Sequence, residues 1–189
     1  MGLMLARSAA EVGCSERTLR RHVTGGLLRG RRVARGQLEL SHAEGVYLHE
    51  HWTLLSKLMS TLRTERDVRL AVLFGSTATG EDTPASDVDL LIVHRRPEWT
   101  TQAGLRIRLR RALGTPVDVV MLEQAEAQPS LLADVLREGR VLIDRDDLWG
   151  ALQQRHDEIL VAGAREDELI MARARATLAA ARERLAQAS

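Results

Sequence analysis

The chain has 189 residues, of which 44% are hydrophobic but only 3% aromatic, and a formal net charge of +1. That length buries a real core in one large or two small domains, and the core must be mostly aliphatic. The single cysteine, Cys14, excludes an intrachain disulfide framework, and with no apolar run of about 18 residues and no long apolar N-terminal segment the sequence predicts a soluble, cytoplasmic protein with no membrane partner.

The charge is unevenly spread. Residues 1–40 hold eight arginines against Glu11, Glu16 and Glu39, a surplus of five, so the rest of the chain carries −4. A basic first module on an acidic body points to an anionic partner for that module. Ser8-Ala9-Ala10-Glu11 matches a capping box and predicts the start of a short helix, ended by Gly13. Ser15 can cap a second helix through Val23, with Leu19 and Val23 inward, Arg17, Arg20 and Arg21 outward, and Gly25-Gly26 as its stop. Arg31, Arg32 and the Leu38, Leu40 pair around Gly36 predict a small hairpin. Helix, turn, basic helix and hairpin resemble a winged helix-turn-helix, here residues 1–41, with duplex DNA as its partner through Arg17, Arg20, Arg21, Arg31 and Arg32. The alternative is a basic, solvated helical hairpin.

Ser41-His42-Ala43-Glu44 is a second capping box and opens a long linker helix over residues 42–66. Leu48, Trp52, Leu55, Met59 and Leu62 recur at the period of a helix–helix seam. Such a stripe serves either a homodimer or packing on the next domain. His42, His49 and His51 lack the i, i+4 spacing of a helical zinc site.

The next stretch carries the chemistry. Leu70 to Phe74 is a short apolar run that ends in Gly75-Ser76, and ten residues later Asp87-Val88-Asp89 opens a second apolar run to Val93. Both read as buried strands. Alternation on a strand puts Asp87 and Asp89 on one side, where their mutual repulsion invites a cation with oxygen ligands, Mg²⁺ or Mn²⁺. Gly75 allows a tight turn and close approach to a ligand, and Ser76 can start a helix facing a phosphate. Together these imply chemistry on a nucleoside triphosphate. Pro97 to Thr100 reads as a loop, 103–112 as a helix with a basic face (Arg106, Arg108, Arg110, Arg111), and Val117 to Leu122 as a strand bearing Asp118. The arginines serve either phosphates or a solvated face. Residues 123–129 read as a polar loop, 131–138 as a helix closed by Gly139, and 141–143 as an edge strand. Beyond Asp146 two helices are expected, broken near Gly163, the second rich in alanine.

Gly75-Ser76, the ten-residue gap, Asp87-Val88-Asp89 and a later-strand Asp118 resemble the signature of the polymerase-β-type nucleotidyltransferases, over residues 67–144. The gap is similar to that of the minimal nucleotidyltransferases, the MNT partners of HEPN toxins. Thr77 and Thr79 stand where that family often has arginines. The resemblance implies an α+β fold, with a mixed sheet and flanking helices in a nucleotidyltransferase domain at 67–146, followed by C-terminal helices at 147–189. It also implies catalytic, metal-binding carboxylates Asp87, Asp89 and Asp118, two Mg²⁺ ions, ATP as substrate, and a phosphate grip at Gly75 and Ser76. The implied activity is transfer of AMP to a hydroxyl of a HEPN toxin, by an antitoxin that represses its own operator. Two alternatives stay open: a small-molecule adenylyltransferase of the aminoglycoside type, and a DNA-binding regulator with an inert catalytic domain.

Overall fold

The strand β4 (Val68–Phe74), buried along nearly its whole length, is the spine of the protein. In the computed structural model, which describes residues 3–33, 37–96 and 99–187, it pairs antiparallel with β5 (Val88–His94) on one side and β7 (Arg140–Asp144) on the other. β6 (Val117–Met121) runs parallel to β5, which makes a mixed four-stranded sheet of order β6-β5-β4-β7. A parallel neighbour needs a crossover, and α5 (Trp99–Leu113) supplies it. One face of the sheet packs against α3 (His42–Thr64) and α5, with Leu55, Leu58, Leu62, Leu73, Leu90, Ile92, Leu105 and Leu109 in one aliphatic cluster. The other face is covered by α7 (Pro129–Glu138) and α9 (His156–Gln187), through Val72, Leu91, Leu132, Val135 and Ile159. An α+β protein with a mixed sheet and flanking helices is what the sequence predicted.

The first forty residues form β1 (Leu3–Met4), α1 (Leu5–Glu11), α2 (Glu16–Thr24), β2 (Gly30–Arg32) and β3 (Leu38–Leu40). The strands form a second sheet, ordered β1-β3-β2. Ser15 caps α2, its hydroxyl accepting from the Thr18 N–H at 3.1 Å. Ser8 does not start α1: it sits in mid-helix, buried, and the helix begins at Leu5. Apolar burial of Leu5 and Ala9 set the boundary there, over the local capping pattern. The turn expected at Gly36 lies outside the described residues.

Ser41 caps α3 as expected, accepting from the Glu44 N–H at 3.1 Å. Glu44 does not return the bond; its carboxylate is turned inward to other partners described below. The stripe of Leu48, Leu55, Met59 and Leu62 is buried within the chain's own core, with Trp52 packed against it. That face is therefore not a free dimer seam.

Several boundaries differ from the sequence reading. Trp99 and Thr100, expected in a loop, open α5; Pro97 and Glu98 of that expected loop lie outside the described residues. Residues expected as a loop before Pro129 include the short helix α6 (Leu122–Glu126), and Pro129 is the first residue of α7. The last segment breaks at Arg155, between α8 (Leu148–Gln154) and α9, not at Gly163. Gly163 lies inside α9 because the helix needs its missing side chain: a Cβ there would stand 2.7 Å from the Ala133 Cβ and 3.0 Å from the Pro129 carbonyl. Beyond that contact α9 is exposed, with Leu169, Ile170, Met171 and Leu178 open to solvent.

Candidate active site

The register of the sheet brings the sequence-predicted residues together. Phe74 on β4 lies opposite Asp89 on β5, and Asp89 lies opposite Asp118 on β6, in one row across three strands. Asp87 sits just before β5 instead of within it, and is exposed. It lies close enough for its charge to act on Asp89. Gly75 follows Phe74 directly with φ +70, and opens the short helix α4 (Gly75–Thr79). Phe74 is thus the residue flanking the helix start, and Ser76 is already in its first turn.

Gly75 is required by contact as well as by conformation. A Cβ there would meet the Asp89 Oδ2 at 2.6 Å. Gly75→Ala is therefore expected to cost about 1–2 kcal/mol of backbone strain and, in addition, to push the central carboxylate out of line. Turnover should fall far more than the melting temperature; an alanine variant with wild-type turnover would contradict the placement of Gly75 in the site.

Asp89 is held above the usual carboxylate range, first by burial, then by the negative charges of Asp118 and Asp87. Two like charges facing a half-buried carboxyl leave negative potential, and among the described residues no cation pairs with Asp89 to absorb it. Asp118 is partly compensated by Arg106 on α5, whose Nη2 lies 3.3 Å from its Oδ1 in an exposed ion pair. Gln102, one turn earlier, donates to the Val119 carbonyl at 2.6 Å and fixes α5 against β6. The arginine face of α5 is thus divided: Arg106 meets a site carboxylate, while Arg108 forks onto Glu65 at 2.6 and 2.9 Å. The sequence named these arginines without distinguishing them, because nothing local says which turn of α5 faces β6.

Thr77 and Thr79 have their hydroxyls turned to the backbone. Thr77 donates to the Asp87 carbonyl at 3.2 Å and Thr79 to the Ser76 carbonyl at 3.0 Å. The positive charge beside the site carboxylates comes instead from Arg106.

The donor set fits a hard divalent cation: three carboxylates and no thiolate or imidazole, with Asp89 under the repulsion of its neighbours. Among the described residues no three such side chains converge on one point as they stand, and Asp118 faces Arg106.

Residues 56–148, just under half of the chain, match the family described as Polymerase beta, Nucleotidyltransferase. No curated protein matches the chain. Similar solved structures include a toxin–antitoxin with AMP-PNP, at 23% identity and a TM-score of 0.45, covering 66% of this chain and 94% of that one. Another is a tri-AMPylated Shewanella oneidensis HEPN toxin in complex with MNT antitoxin, at 22% identity and a TM-score of 0.43, covering 68% and 95%. The toxin–antitoxin MntA-HepT is similar at 22% identity and a TM-score of 0.42, covering 67% and 95%. Those TM-scores lie below 0.5, so the assignment rests on the family match and on the site itself. Gly75, Asp87, Asp89 and Asp118 all lie within the matched residues 56–148, so this part of the chain is similar to the polymerase-β nucleotidyltransferases.

Proposed function

We propose that this nucleotidyltransferase uses Mg²⁺ to transfer AMP from ATP to a hydroxyl of a partner protein, a tyrosine of a HEPN-family toxin. In that reading it is the pair's antitoxin, and its basic first module binds its own operator. The observation that carries the catalytic half is the row of Asp89 and Asp118 in register, with Asp87 beside it and the Gly75 turn against Asp89. The ten-residue gap resembles the MNT partners of HEPN toxins. The openness of the site supports a protein acceptor: Asp87 is exposed, and the side chains of Asp118 and Arg106 are 50% and 59% exposed.

Asp87, Asp89 and Asp118 would hold the two cations, which when bound neutralise the triphosphate and lower the pKa of the attacking hydroxyl. The remaining steps belong to the chain. Gly75 and Ser76 receive the β- and γ-phosphates at the first turn of α4. Arg106 exchanges Asp118 for a phosphate oxygen. Asp118 takes the hydroxyl proton as the acceptor oxygen bonds to the α-phosphorus, the Pα–O–Pβ bond breaks, and pyrophosphate leaves. Positioning and charge neutralisation dominate such chemistry. Label is expected on the partner from ATP labelled at the α-phosphate. Label from the γ-phosphate would mean phosphoryl transfer and would overturn the reading.

The helix pair and the following strand pair support the DNA-binding half. Arg17, Arg20, Arg21, Arg31 and Arg32 are all exposed. Arg20 pairs with Glu16 at 2.8 Å and Arg31 approaches Glu39 at 3.6 Å; Arg17, Arg21 and Arg32 have no ion pair among the described residues. Arg21, His22, Arg63 and Arg145 line one groove. Burial, then the charges of Arg21 and Arg63, holds His22 below its ordinary value, as a basic surface should. Arg21→Ala is expected to weaken operator binding by about 1–3 kcal/mol if Arg21 reads a base, and to lower the salt slope by about one unit if it meets a phosphate. Fluorescence anisotropy against the upstream region of its own gene measures both; no binding at low salt would remove the DNA role. Among the described residues no helix is long and apolar enough to cross a membrane.

A further inference from the structure

Beneath the Gly75–Thr79 turn lies a buried polar network that the reaction as described does not use. Arg140, the first residue of β7, is 2% exposed and forks onto Glu44 of α3, which is 5% exposed, at 2.6 and 3.1 Å. Its Nε donates to the Ala78 carbonyl at 2.6 Å. The guanidinium lies 3.5 Å over the ring of Tyr47, whose hydroxyl donates to the Thr77 carbonyl at 3.1 Å. Two consecutive carbonyls of α4 are thus held from below by two side chains of other elements. Thr77 passes the constraint on, because its own hydroxyl bonds the Asp87 carbonyl. His51, stacked on Tyr47 and bonded to Asp82 at 2.8 Å, fixes the ring from its far side.

The same ion pair reaches the first module. Arg140 donates to the Leu27 carbonyl at 3.1 Å, and Glu44 accepts from the Arg29 N–H at 2.9 Å. Burying an ion pair this deeply often adds little net stability over an apolar pair, so the fork's worth lies in the directed donors it supplies. What an apolar pair lacks is directional donors aimed at α4.

We infer that Tyr47 and Arg140 are positioning residues of the nucleotide site: they clamp the Thr77 and Ala78 carbonyls and so hold Gly75 and Ser76 in place against Asp87 and Asp89. Neither touches substrate. The inference rests on the reading of the Gly75–Ser76 turn as the triphosphate grip. Burial pushes the Tyr47 hydroxyl up to about 12, so it stays protonated and remains a donor at working pH.

The test is Tyr47→Phe, which keeps the ring under Arg140 and removes only the donor to Thr77. A non-hydrolysable ATP analogue with Mg²⁺ is titrated by calorimetry into wild type and variant, well below both melting points, and KM and kcat are measured in parallel. Loss of one directed hydrogen bond predicts about three- to tenfold weaker binding, with the same rise in KM and a smaller change in kcat at saturating ATP. Arg140→Lys, which keeps the charge but not the fork, should shift binding in the same direction. Variants that melt lower yet bind the analogue like wild type would make the network structural only and overturn the inference. A wild type that binds no analogue contradicts the underlying reading of the turn, and the inference falls with it.

Discussion

Asp89→Asn is expected to abolish nucleotidyl transfer, by on the order of 10³-fold or more, while the protein stays folded. Asp89 stands at the centre of the row between Phe74 and Asp118 and is the carboxylate against which the Gly75 turn closes. Groups that act as a unit are not additive, so Asp87→Asn combined with Asp89→Asn should be little worse than either alone. The stability effect has the opposite sign. Burial, Asp118 and Asp87 raise the folded pKa of Asp89. A raised carboxyl contributes stability that is present below its unfolded value and lost as pH rises through its folded value. Asparagine mimics the protonated form at every pH, so metal-free Asp89→Asn should melt at or above wild type at neutral pH. A variant that loses activity only because it unfolds would show Asp89 to be structural. Thermal melts without metal, run beside turnover assays, separate the two.

Glu44→Ala should destabilise the protein by about 3–5 kcal/mol, because it leaves the Arg140 charge buried and unpaired. Arg140 and Glu44 are 2% and 5% exposed and bonded bidentately, so solvent cannot rehydrate the orphaned guanidinium without local opening. Replacing both partners by apolar residues should recover only part of the loss. The carbonyls of Ala78 and Leu27 would then lose their donors as well. Chemical denaturation monitored at the tryptophans measures the difference. A loss below about 1 kcal/mol would mean that the pair is hydrated in solution.

The strands that carry the candidate site were legible because their signal is local. A run of Val, Leu and Ile ending in Gly75-Ser76, then Asp87 and Asp89 at strand spacing, needs no knowledge of the rest of the chain. Asp118 was legible for the same reason, and register alone puts it beside Asp89. The network under α4 was not legible. Glu44 fits a capping box, Tyr47 is a lone aromatic on a long helix, and Arg140 heads a strand ninety-six residues from Glu44. Only the pairing of β7 with β4, and the packing of α3 beneath, bring the three together. One residue did carry a hint: Arg140 is a charged side chain between Gly139 and the apolar Val141-Leu142-Ile143, where a buried strand calls for an apolar one. The misplaced break at Gly163 has a similar origin. Glycine inside a helix lowers helix propensity, but tertiary contact with Ala133 and Pro129 decided the matter. The stripe on α3 left two partners open, a homodimer or the next domain, and burial decides it: Leu48, Leu55 and Leu62 pack in the chain's own core.

The central claim is that the chain moves AMP onto a partner protein. The direct measurement is the intact mass of the adjacent gene's product after incubation with this chain, ATP and Mg²⁺. The account predicts a gain of one or more AMP units, absent when Asp89→Asn replaces the wild type. An unmodified partner, with wild-type enzyme that readily adenylylates an aminoglycoside, would contradict it.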